Sequence, residues 1–399
     1  MRRLRNDLPY TFHPPQSRRW FRPLALWANR KAFLERKYAL REIRSEGFGK
    51  VAERRLAGDA VLLAPNHADH SDPHVMIEMG GRHGLPLHFM AAREIFEDSR
   101  LAAWALQSVG VFSIDRDGPD LSAIKTAISL LEQSVPLVIY PEGEIYHHHE
   151  RLDPLMEGVA SILLKAAGRL KEGRQAWLVP VGIRFRHDPT VEKTFRDRLS
   201  RLEDRIGWTP RPTMPIDDRI IRLGAGVLAL KETEFLGQAG SGDLQDRLGQ
   251  LCENLLGLVE QRHGKEPRAS TPPERVRALR YRIRRRLLDA ENPPGIEERH
   301  ALLDDLDAVF TALQAHSYIG DYLLSDPTLD RRAETLMKLE EDLFGFPTYP
   351  CPRDVRVIAD EPISVTALLA DGVLPPKGGA APLTEMLEKR LNDLLRHSC

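Results

Sequence analysis

His67 and Asp72 are the two residues of this sequence with the clearest capacity for chemistry, and they stand five positions apart in the segment 65–73. On a single helix five residues rotate the chain by roughly 500°, which leaves two side chains about 140° out of register. Across a turn the same side chains can meet. An imidazole whose second nitrogen is held by a carboxylate is a suitable general base for a hydroxyl group. The alternative is that Asp72 only begins a helix and that His67 is an ordinary turn residue.

The residues on either side of this pair predict the elements that position it. The apolar run 61–64 is typical of a strand that is buried on both faces. Asp72 followed by Pro73 indicates a helix start, with aspartate at the N-cap and proline at the first helical position. The order is therefore strand, polar turn, helix. In open α/β sheets ligands bind beyond the carboxyl ends of the strands, where this turn is expected to lie.

Strands and helices alternate along the chain after this turn. Further strands are predicted at 87–92, 111–114, 137–140 and 176–185, and helices at 98–108, 121–132 and 157–170. The alternation predicts an α/β fold with a mostly parallel sheet flanked by helices. Polar residues follow two of these strands, namely Asp115 with Arg116 and Glu142 with Gly143. We therefore expect a composite pocket at one edge of the sheet, shared with His67.

Composition restricts the class of protein. The chain has 399 residues, of which 42% are hydrophobic, so it can bury a sizeable core. Its 3 cysteines are few and odd in number, which argues against a disulfide framework or a four-thiolate zinc site and fits a reducing compartment. No apolar run approaches the roughly 18 to 20 residues that span a bilayer, and a signal-peptide core is not evident. A cytoplasmic location is expected.

Basic charge is concentrated at the start of the chain. The formal net charge is −1, yet residues 1–50 carry 13 Lys or Arg against 4 Asp or Glu. Trp20, Trp27 and Phe33 are interleaved with these cations, and 34–45 is predicted to be helical. Such a segment is typical of an interfacial helix on an anionic membrane, on the inner face in this case. The alternatives are attraction to nucleic acid and an amphipathic helix that packs on its own domain.

Four short motifs occur in series. They are Asn66-His67 with Asp72 after four intervening residues, Gly-Val-Phe-Ser-Ile-Asp-Arg at 110–116, Tyr-Pro-Glu-Gly at 140–143 and Val-Pro-Val-Gly at 179–182. Together they resemble the glycerophospholipid acyltransferase family, the lysophosphatidic acid acyltransferases and their relatives. The resemblance covers roughly residues 20–190, and it returns at 355–363.

The resemblance implies a reaction and a role for each matching residue. His67 would take the proton of the acceptor hydroxyl, which attacks an acyl thioester without an acyl-enzyme, while Asp72 would orient the imidazole. The donor would be acyl-CoA or acyl-acyl carrier protein, with no further cofactor. Arg116 matches the position that holds the acceptor's phosphate, for which a bidentate guanidinium is well suited. The predicted substrate-binding residues are Asn66, Arg93, Arg116, Glu142, Gly143 and Glu144.

Two features depart from the family pattern or compete with it. Relatives usually follow the third motif's glycine with threonine, whereas this chain has Glu144, whose carboxylate would repel a phosphate unless it points away. The acceptor can therefore be a lysophospholipid or a related lipid or polyol. His147, His148 and His149 form a histidine-rich loop that a metal could use. Since adjacent residues in one loop rarely converge on one ion, no metal site is predicted.

The sequence predicts three regions. Residues 1–50 are basic amphipathic helices, 51–215 plus 346–399 form the α/β domain, and 216–345 form a helical insertion marked by leucine stripes. The insertion can be a packed bundle, a dimer contact or a lid. The leading hypothesis is a membrane-surface O-acyltransferase, and the alternative is a catalytically silent lipid-binding or scaffold protein on the same fold. Nucleic-acid binding is not expected, and the oligomeric state is open.

Overall fold

A computed structural model describes residues 8–266, 271–318, 320–375 and 377–397. The strands are β1 Leu40–Glu46, β2 Ala60–Pro65, β3 His88–Ala92, β4 Val111–Ile114, β5 Leu137–Val138, β6 Ala176–His187, β7 Arg353–Ala359 and β8 Ile363–Ser364. The helices are α1 Arg22–Ala28, α2 Phe48–Leu56, α3 Asp72–Arg82, α4 Glu94–Glu97, α5 Arg100–Ser108, α6 Leu121–Glu132, α7 Gly158–Ala167, α8 Glu192–Arg205, α9 Ile216–Leu236, α10 Leu244–His263, α11 Pro272–Leu287, α12 Ile296–Ser317, α13 Tyr322–Ser325, α14 Leu329–Phe344, α15 Val365–Ala370 and α16 Ala380–His397. A π-helix spans Asn29–Lys37, and a short 3-10 helix spans Pro189–Val191.

The described chain folds into two compact units. The α/β unit contains residues 12–114, 120–191 and 349–397. The helical unit contains 192–348 together with the short segments 8–11 and 115–119. The three-region division expected from the sequence stays a prediction. None of the described helices combines the length and apolar character that crossing a membrane requires.

One mixed sheet organises the α/β unit. Its strand order is β1-β7-β6-β2-β5-β3-β4, and β8 pairs with β6. Strand β6 is antiparallel to β7 and β8, and the remaining pairs are parallel. The predicted fold class, a mostly parallel sheet flanked by helices, is confirmed.

Strand β2 lies at the centre of this sheet because its side chains are apolar on both faces. Val61 and Leu63 point to the core that includes α3, whereas Leu62 and Ala64 point to the core that includes α6 and α7. This alternation is the two-residue period of a strand. Fully burying each such leucine contributes about 1.5 to 3 kcal/mol. The strand that carries the 66–72 turn is thereby anchored from both sides.

The predicted bounds of an element agree best with the structure where its own residues favour that element. Helix α6 has the predicted bounds, whereas α3 begins at Asp72 with Ser71 in the N-cap position, one residue before the predicted cap. The predicted helix at 34–45 is wrong beyond Lys37, because Leu40–Glu46 pairs in parallel with β7 instead. Pairing with a strand more than 300 residues away is a tertiary effect that overrides local propensity.

The helical unit is built around α10, α11 and α12, which share one hydrophobic core. From the predicted leucine stripe of α10, Leu251 and Leu255 are buried in this core, whereas Leu258 is exposed. The arginine-rich helix α11 pairs in part with the acidic stretch 297–307. Arg286 does so through Glu298, but other arginines of this helix have partners elsewhere, as Arg275 does with Glu253 and Glu260.

Candidate active site

The turn after β2 brings His67 and Asp72 together. Strand β2 ends at Pro65 and α3 begins at Asp72, so the six residues between them reverse the chain direction. The Asp72 N–H donates to the Asp69 carbonyl at 3.0 Å, which closes the turn. The Nδ1 atom of His67 lies 2.9 Å from Asp72 Oδ2.

Burial differs between the two partners in a way that suits proton transfer. The Asp72 side chain is 0% exposed, whereas that of His67 is 13% exposed. The ring of Tyr140 stacks on the imidazole with 4.0 Å between centroids and holds its plane. A hydrogen bond from Nδ1–H to the carboxylate places the lone pair of the neutral ring on Nε2. Nε2 is then the atom that can accept a proton.

The surroundings of Asp72 disfavour its ionised form. Burial, and then the neighbouring Asp69 carboxylate, raise the pKa of Asp72 well above its usual range. The backbone N–H of Asp69 opposes this rise by donating to Asp72 Oδ2 at 2.9 Å. Perturbed carboxyl groups of this kind cluster at functional sites.

Glu142 joins the loop after β5 to the same turn. Its Oε1 accepts a hydrogen bond from the His67 N–H at 2.6 Å, and its Oε2 accepts one from the Asp153 N–H at 3.2 Å. Burial, with the nearby carboxylates of Asp153 and Asp72, raises the pKa of Glu142 to about 8, although these two N–H donors oppose the rise. Two of the strand ends that the sequence placed in one pocket therefore meet here.

Gly143 gives the backbone the conformation that it needs directly after Glu142. Its φ of +76° lies in the left-handed region, and a Cβ atom built there would overlap the side chain of Met156. The Met156 N–H in turn donates to the Pro141 carbonyl at 2.9 Å. A larger residue at 143 would therefore disturb both the backbone and the packing of the Glu142 loop.

Comparisons with known proteins identify this segment. The family model described as Acyltransferase matches residues 44–184, which include all the residues of the site described so far. Over these residues the chain is similar to the acyltransferase family. The resemblance that the four motifs indicated is thereby confirmed for this segment.

Two curated relatives of this acyltransferase domain carry the same name, 1-acyl-sn-glycerol-3-phosphate acyltransferase. The protein from Streptococcus pneumoniae (strain ATCC BAA-255 / R6) is 34% identical over 80 residues, which are 20% of this chain and 28% of the relative. The protein from Bacillus subtilis (strain 168) is 35% identical over 57 residues, which are 14% of this chain and 28% of the relative. The aligned part thus spans less than a third of the length of either relative.

Other predicted site residues of the acyltransferase domain have structural contacts. The Asn66 side chain forms two hydrogen bonds with the backbone of Ile183, at 2.7 and 3.0 Å, and so ties the turn to β6. Arg93 is buried and forms a salt bridge with Glu97 at 2.8 Å, and Glu144 is partly buried. Substrate binding by these three residues stays a prediction.

Arg116 belongs to the 115–119 segment of the helical unit. Its neighbours Asp115 and Asp117 are held by helix α11: Arg284 donates to both, at 2.7 and 3.1 Å, and Arg280 approaches Asp117 at 2.9 Å. The residues before and after Arg116 are therefore both held by buried guanidinium groups. Its predicted role in binding phosphate remains a prediction.

The histidine-rich loop is largely buried and makes a contact of its own. His148 Nε2 lies 2.6 Å from Asp153 Oδ2. Asp153 is also the residue whose N–H donates to Glu142, so this loop and the Glu142 carboxyl share a neighbour.

Sequence reasoning missed three residues that shape this site. Tyr140 stood in a recognised motif, but only the structure reveals its stacking on His67. Asp69 lies inside the first motif, where its acidic type was a usable signal. Arg353 binds the Asp69 carboxylate at 2.9 Å, and no local pattern could have pointed to a residue 284 positions away.

Proposed function

We propose that this protein is an O-acyltransferase that moves a fatty acyl group from a thioester donor to the hydroxyl of a lysophospholipid or related lipid acceptor. The observation that carries the proposal is the hydrogen bond between His67 and Asp72 at the carboxyl end of β2, inside the acyltransferase-family segment. The names of the two relatives support an acyl-glycerophosphate type of acceptor. The donor is acyl-CoA or acyl-acyl carrier protein, and no other cofactor enters the reaction.

In this mechanism His67 is the general base. Nε2 takes the proton of the acceptor hydroxyl as its oxygen attacks the thioester carbonyl carbon, and the carbonyl electrons move to oxygen. The tetrahedral intermediate then collapses, the carbon–sulfur bond breaks, and the leaving thiolate takes the proton back from the imidazolium. The Asp72 carboxylate holds Nδ1–H and stabilises the transient positive charge. An ester and a thiol are the products, and the enzyme is unchanged.

Acceptor binding is assigned to the residues that match the family motifs and to Arg93 and Glu144. Arg116 would hold a phosphate, while Asn66, Arg93, Glu142, Gly143 and Glu144 would line or shape the acceptor site. The carboxylate of Glu144 is unfavourable beside a phosphate, which supports testing acceptors without one.

The decisive experiment measures thiol release. Wild-type protein is mixed with acyl-CoA or acyl-acyl carrier protein and with lysolipids, glycerol 3-phosphate or non-phosphate alcohols, and the free thiol is followed with a chromogenic disulfide. His67→Ala should lower the rate by about 100- to 10,000-fold, the usual contribution of a general base. His300→Ala, an exposed histidine on α12, is the matched control and should leave the rate unchanged. If wild-type protein releases no thiol with any acceptor, the lipid-binding scaffold hypothesis is favoured.

We also propose that the protein works as a peripheral protein on the inner face of a membrane, which implies a cytoplasmic location. Trp20 and Trp27 are 71% and 64% exposed, and Leu24 between them is also exposed. Basic residues of the π-helix Asn29–Lys37 follow directly along the chain. Exposed aromatic side chains beside cations suit an anionic lipid surface.

Vesicle flotation tests this part of the proposal. Wild-type protein should float with phosphatidylglycerol-containing vesicles at low salt and much less with phosphatidylcholine alone. The double variant Trp20→Ala/Trp27→Ala should lose flotation, whereas Leu56→Ala, which removes an exposed apolar residue elsewhere, should retain it. Equal flotation of all three proteins would contradict this membrane surface.

A further inference from the structure

Asp69 occupies the middle of the turn and contacts Asp72 through both of its backbone groups. Its N–H donates to Asp72 Oδ2 at 2.9 Å, and its carbonyl accepts from the Asp72 N–H at 3.0 Å. Its side chain stays within the turn as well, since Oδ1 accepts from the Ser71 N–H at 2.8 Å and from the Ser71 hydroxyl at 2.5 Å. Any movement of Asp69 therefore moves the Asp72 carboxylate.

Arg353, the first residue of β7, holds Asp69 from the other side. Its side chain is 1% exposed, and Nη1 donates to Asp69 Oδ2 at 2.9 Å. Nε and Nη2 reach the Tyr38 carbonyl at 3.3 Å, and Nη2 also lies 3.4 Å from Asp69 Oδ1 and from the Ser71 hydroxyl. A guanidinium whose three nitrogen atoms all have hydrogen-bond partners is held in one orientation.

Two aromatic rings complete the enclosure of this guanidinium. Its central carbon lies 4.7 Å from the centroid of Phe185 and 4.4 Å from that of Tyr349. Both rings and all three hydrogen-bond partners, Asp69, Tyr38 and Ser71, belong to the α/β unit. Burial raises the pKa of Asp69, but the charge and hydrogen bonds of Arg353, together with His147 and Ser71, outweigh it and keep this pKa low, so Asp69 remains an anion beside Asp72.

We propose that Arg353 is a positioning residue which, through Asp69, fixes the 66–72 turn so that the Asp72 carboxylate faces His67 Nδ1. In this role Arg353 acts through Asp69 and takes no part in the proposed proton transfer. The inference rests on the proposed acyl transfer for its kinetic consequence, but its geometric consequence can be measured without turnover.

Kinetics tests the consequence for catalysis. Arg353→Lys keeps the positive charge but loses the bidentate fork, so the turn should loosen while the ion pair survives in part. We expect kcat to fall by about 100-fold, as for a misplacement of roughly 1 Å, with KM for the acceptor and donor changed by less than about threefold. The matched control is Arg356→Lys on the same strand, which alters an exposed pair with Glu46 and should leave kcat unchanged.

A double-substitution cycle tests whether Arg353 acts through Asp69. Asp69→Asn should lower kcat on its own, because the amide can replace only part of the carboxylate's bonds. In the Arg353→Met background the same change should add less than about threefold, since residues that act as one unit are not additive. Should Arg353→Met fail to unfold cooperatively, the same comparison is made in the Arg353→Lys background. Fully multiplicative effects would contradict action through Asp69.

Nuclear magnetic resonance keeps the inference separate from the proposed reaction. In protein with ¹⁵N-labelled histidine, the Nδ1–H of His67 bound to Asp72 should give a low-field proton signal that disappears in His67→Ala. Arg353→Lys should broaden or remove this signal, and Arg356→Lys should retain it. If Arg353→Lys keeps both the signal and the wild-type kcat, the positioning role is wrong. If the signal responds but wild-type protein never turns over, the positioning role stands and the proposed function fails.

Discussion

Buried carboxylates in the helical unit and in the candidate site have different kinds of hydrogen-bond donor. In the helical unit, Glu340 receives a two-pronged pair of bonds from Arg198 at 2.8 and 2.9 Å, and Glu203 lies 2.6 Å from Arg219. In the α/β unit, Asp72 and Glu142 are equally buried, but their hydrogen bonds come from an imidazole and backbone N–H groups.

The kind of donor determines whether the charge of a buried carboxylate is compensated and whether its pKa is raised. A bidentate guanidinium satisfies a carboxylate and compensates its charge, which gives structure but no reactivity. Weaker donors leave the pKa of Asp72 well above its usual range and that of Glu142 at about 8. The guanidinium near the site, Arg353, is bound to Asp69 instead. These two buried acids of the α/β unit, Asp72 and Glu142, thus have raised pKa values, and one of them, Asp72, is used in the proposed reaction.

Asp72→Asn should have the largest effect. A neutral amide cannot stabilise the imidazolium, and its NH2 group can donate to Nδ1 and hold the wrong tautomer. We therefore expect kcat/KM for thiol release to fall by about 100- to 10,000-fold. In the wild-type protein the raised pKa of Asp72 should move the acid limb of the pH profile above the usual aspartate range, because activity is lost as pH falls through that pKa. Asp371→Asn, an exposed control, should keep the rate. An unchanged rate in Asp72→Asn would show that Asp72 has no role in catalysis, and the difference drawn between the carboxylates of the two units would be wrong.

Arg198→Met should cause the largest loss of stability among these variants. It leaves Glu340 buried without its cation, which costs about 3 to 5 kcal/mol. Urea denaturation followed by circular dichroism measures the loss. Arg201→Met, exposed on the same helix, should change stability by less than about 0.5 kcal/mol. A similar small change in Arg198→Met would show that the pair does not compensate Glu340.

Glu142→Gln should change how stability depends on pH. Because burial raises its pKa from 4.5 to about 8, the folded protein binds this proton more tightly than the unfolded chain does. Stability should therefore fall as pH rises from about 4.5 to about 8, by up to about 1.4 kcal/mol per pH unit from this group.

The variant should flatten this slope in part, since Asp72 contributes with the same sign. Thermal unfolding between pH 5 and 8 measures it, with Glu157→Gln as an exposed control that retains the wild-type slope. A slope in Glu142→Gln as steep as in wild type would mean that Glu142 is ionised throughout this range.

Lys231→Met should have the smallest effect. Lys231 and Glu234 form a partly exposed pair on α9 at 2.8 Å, and such surface pairs contribute about 0 to 1 kcal/mol. A loss comparable to that of Arg198→Met, measured by the same urea denaturation, would show that burial is not what separates the strong pairs from the weak ones.

The sequence by itself determined the elements whose cause is local. The run 61–64 predicted β2 because its residues are apolar on both faces, and helix α6 followed from its periodicity. The segment 65–73 determined that His67 and Asp72 would be separated by a turn, since strand and helix signals flank it. The four motifs and their order were enough to indicate the family.

Only the tertiary structure decided which distant groups complete the site. The bond from the His67 N–H to Glu142 spans 75 positions, and the ion pair of Asp69 with Arg353 spans 284. Strand β1 likewise exists because β7 lies beside it. Contacts of this kind depend on how the sheet orders its strands, and local propensity carries no information about that order. The same is true of the pKa values, which depend on burial and on charges that neighbouring elements bring together.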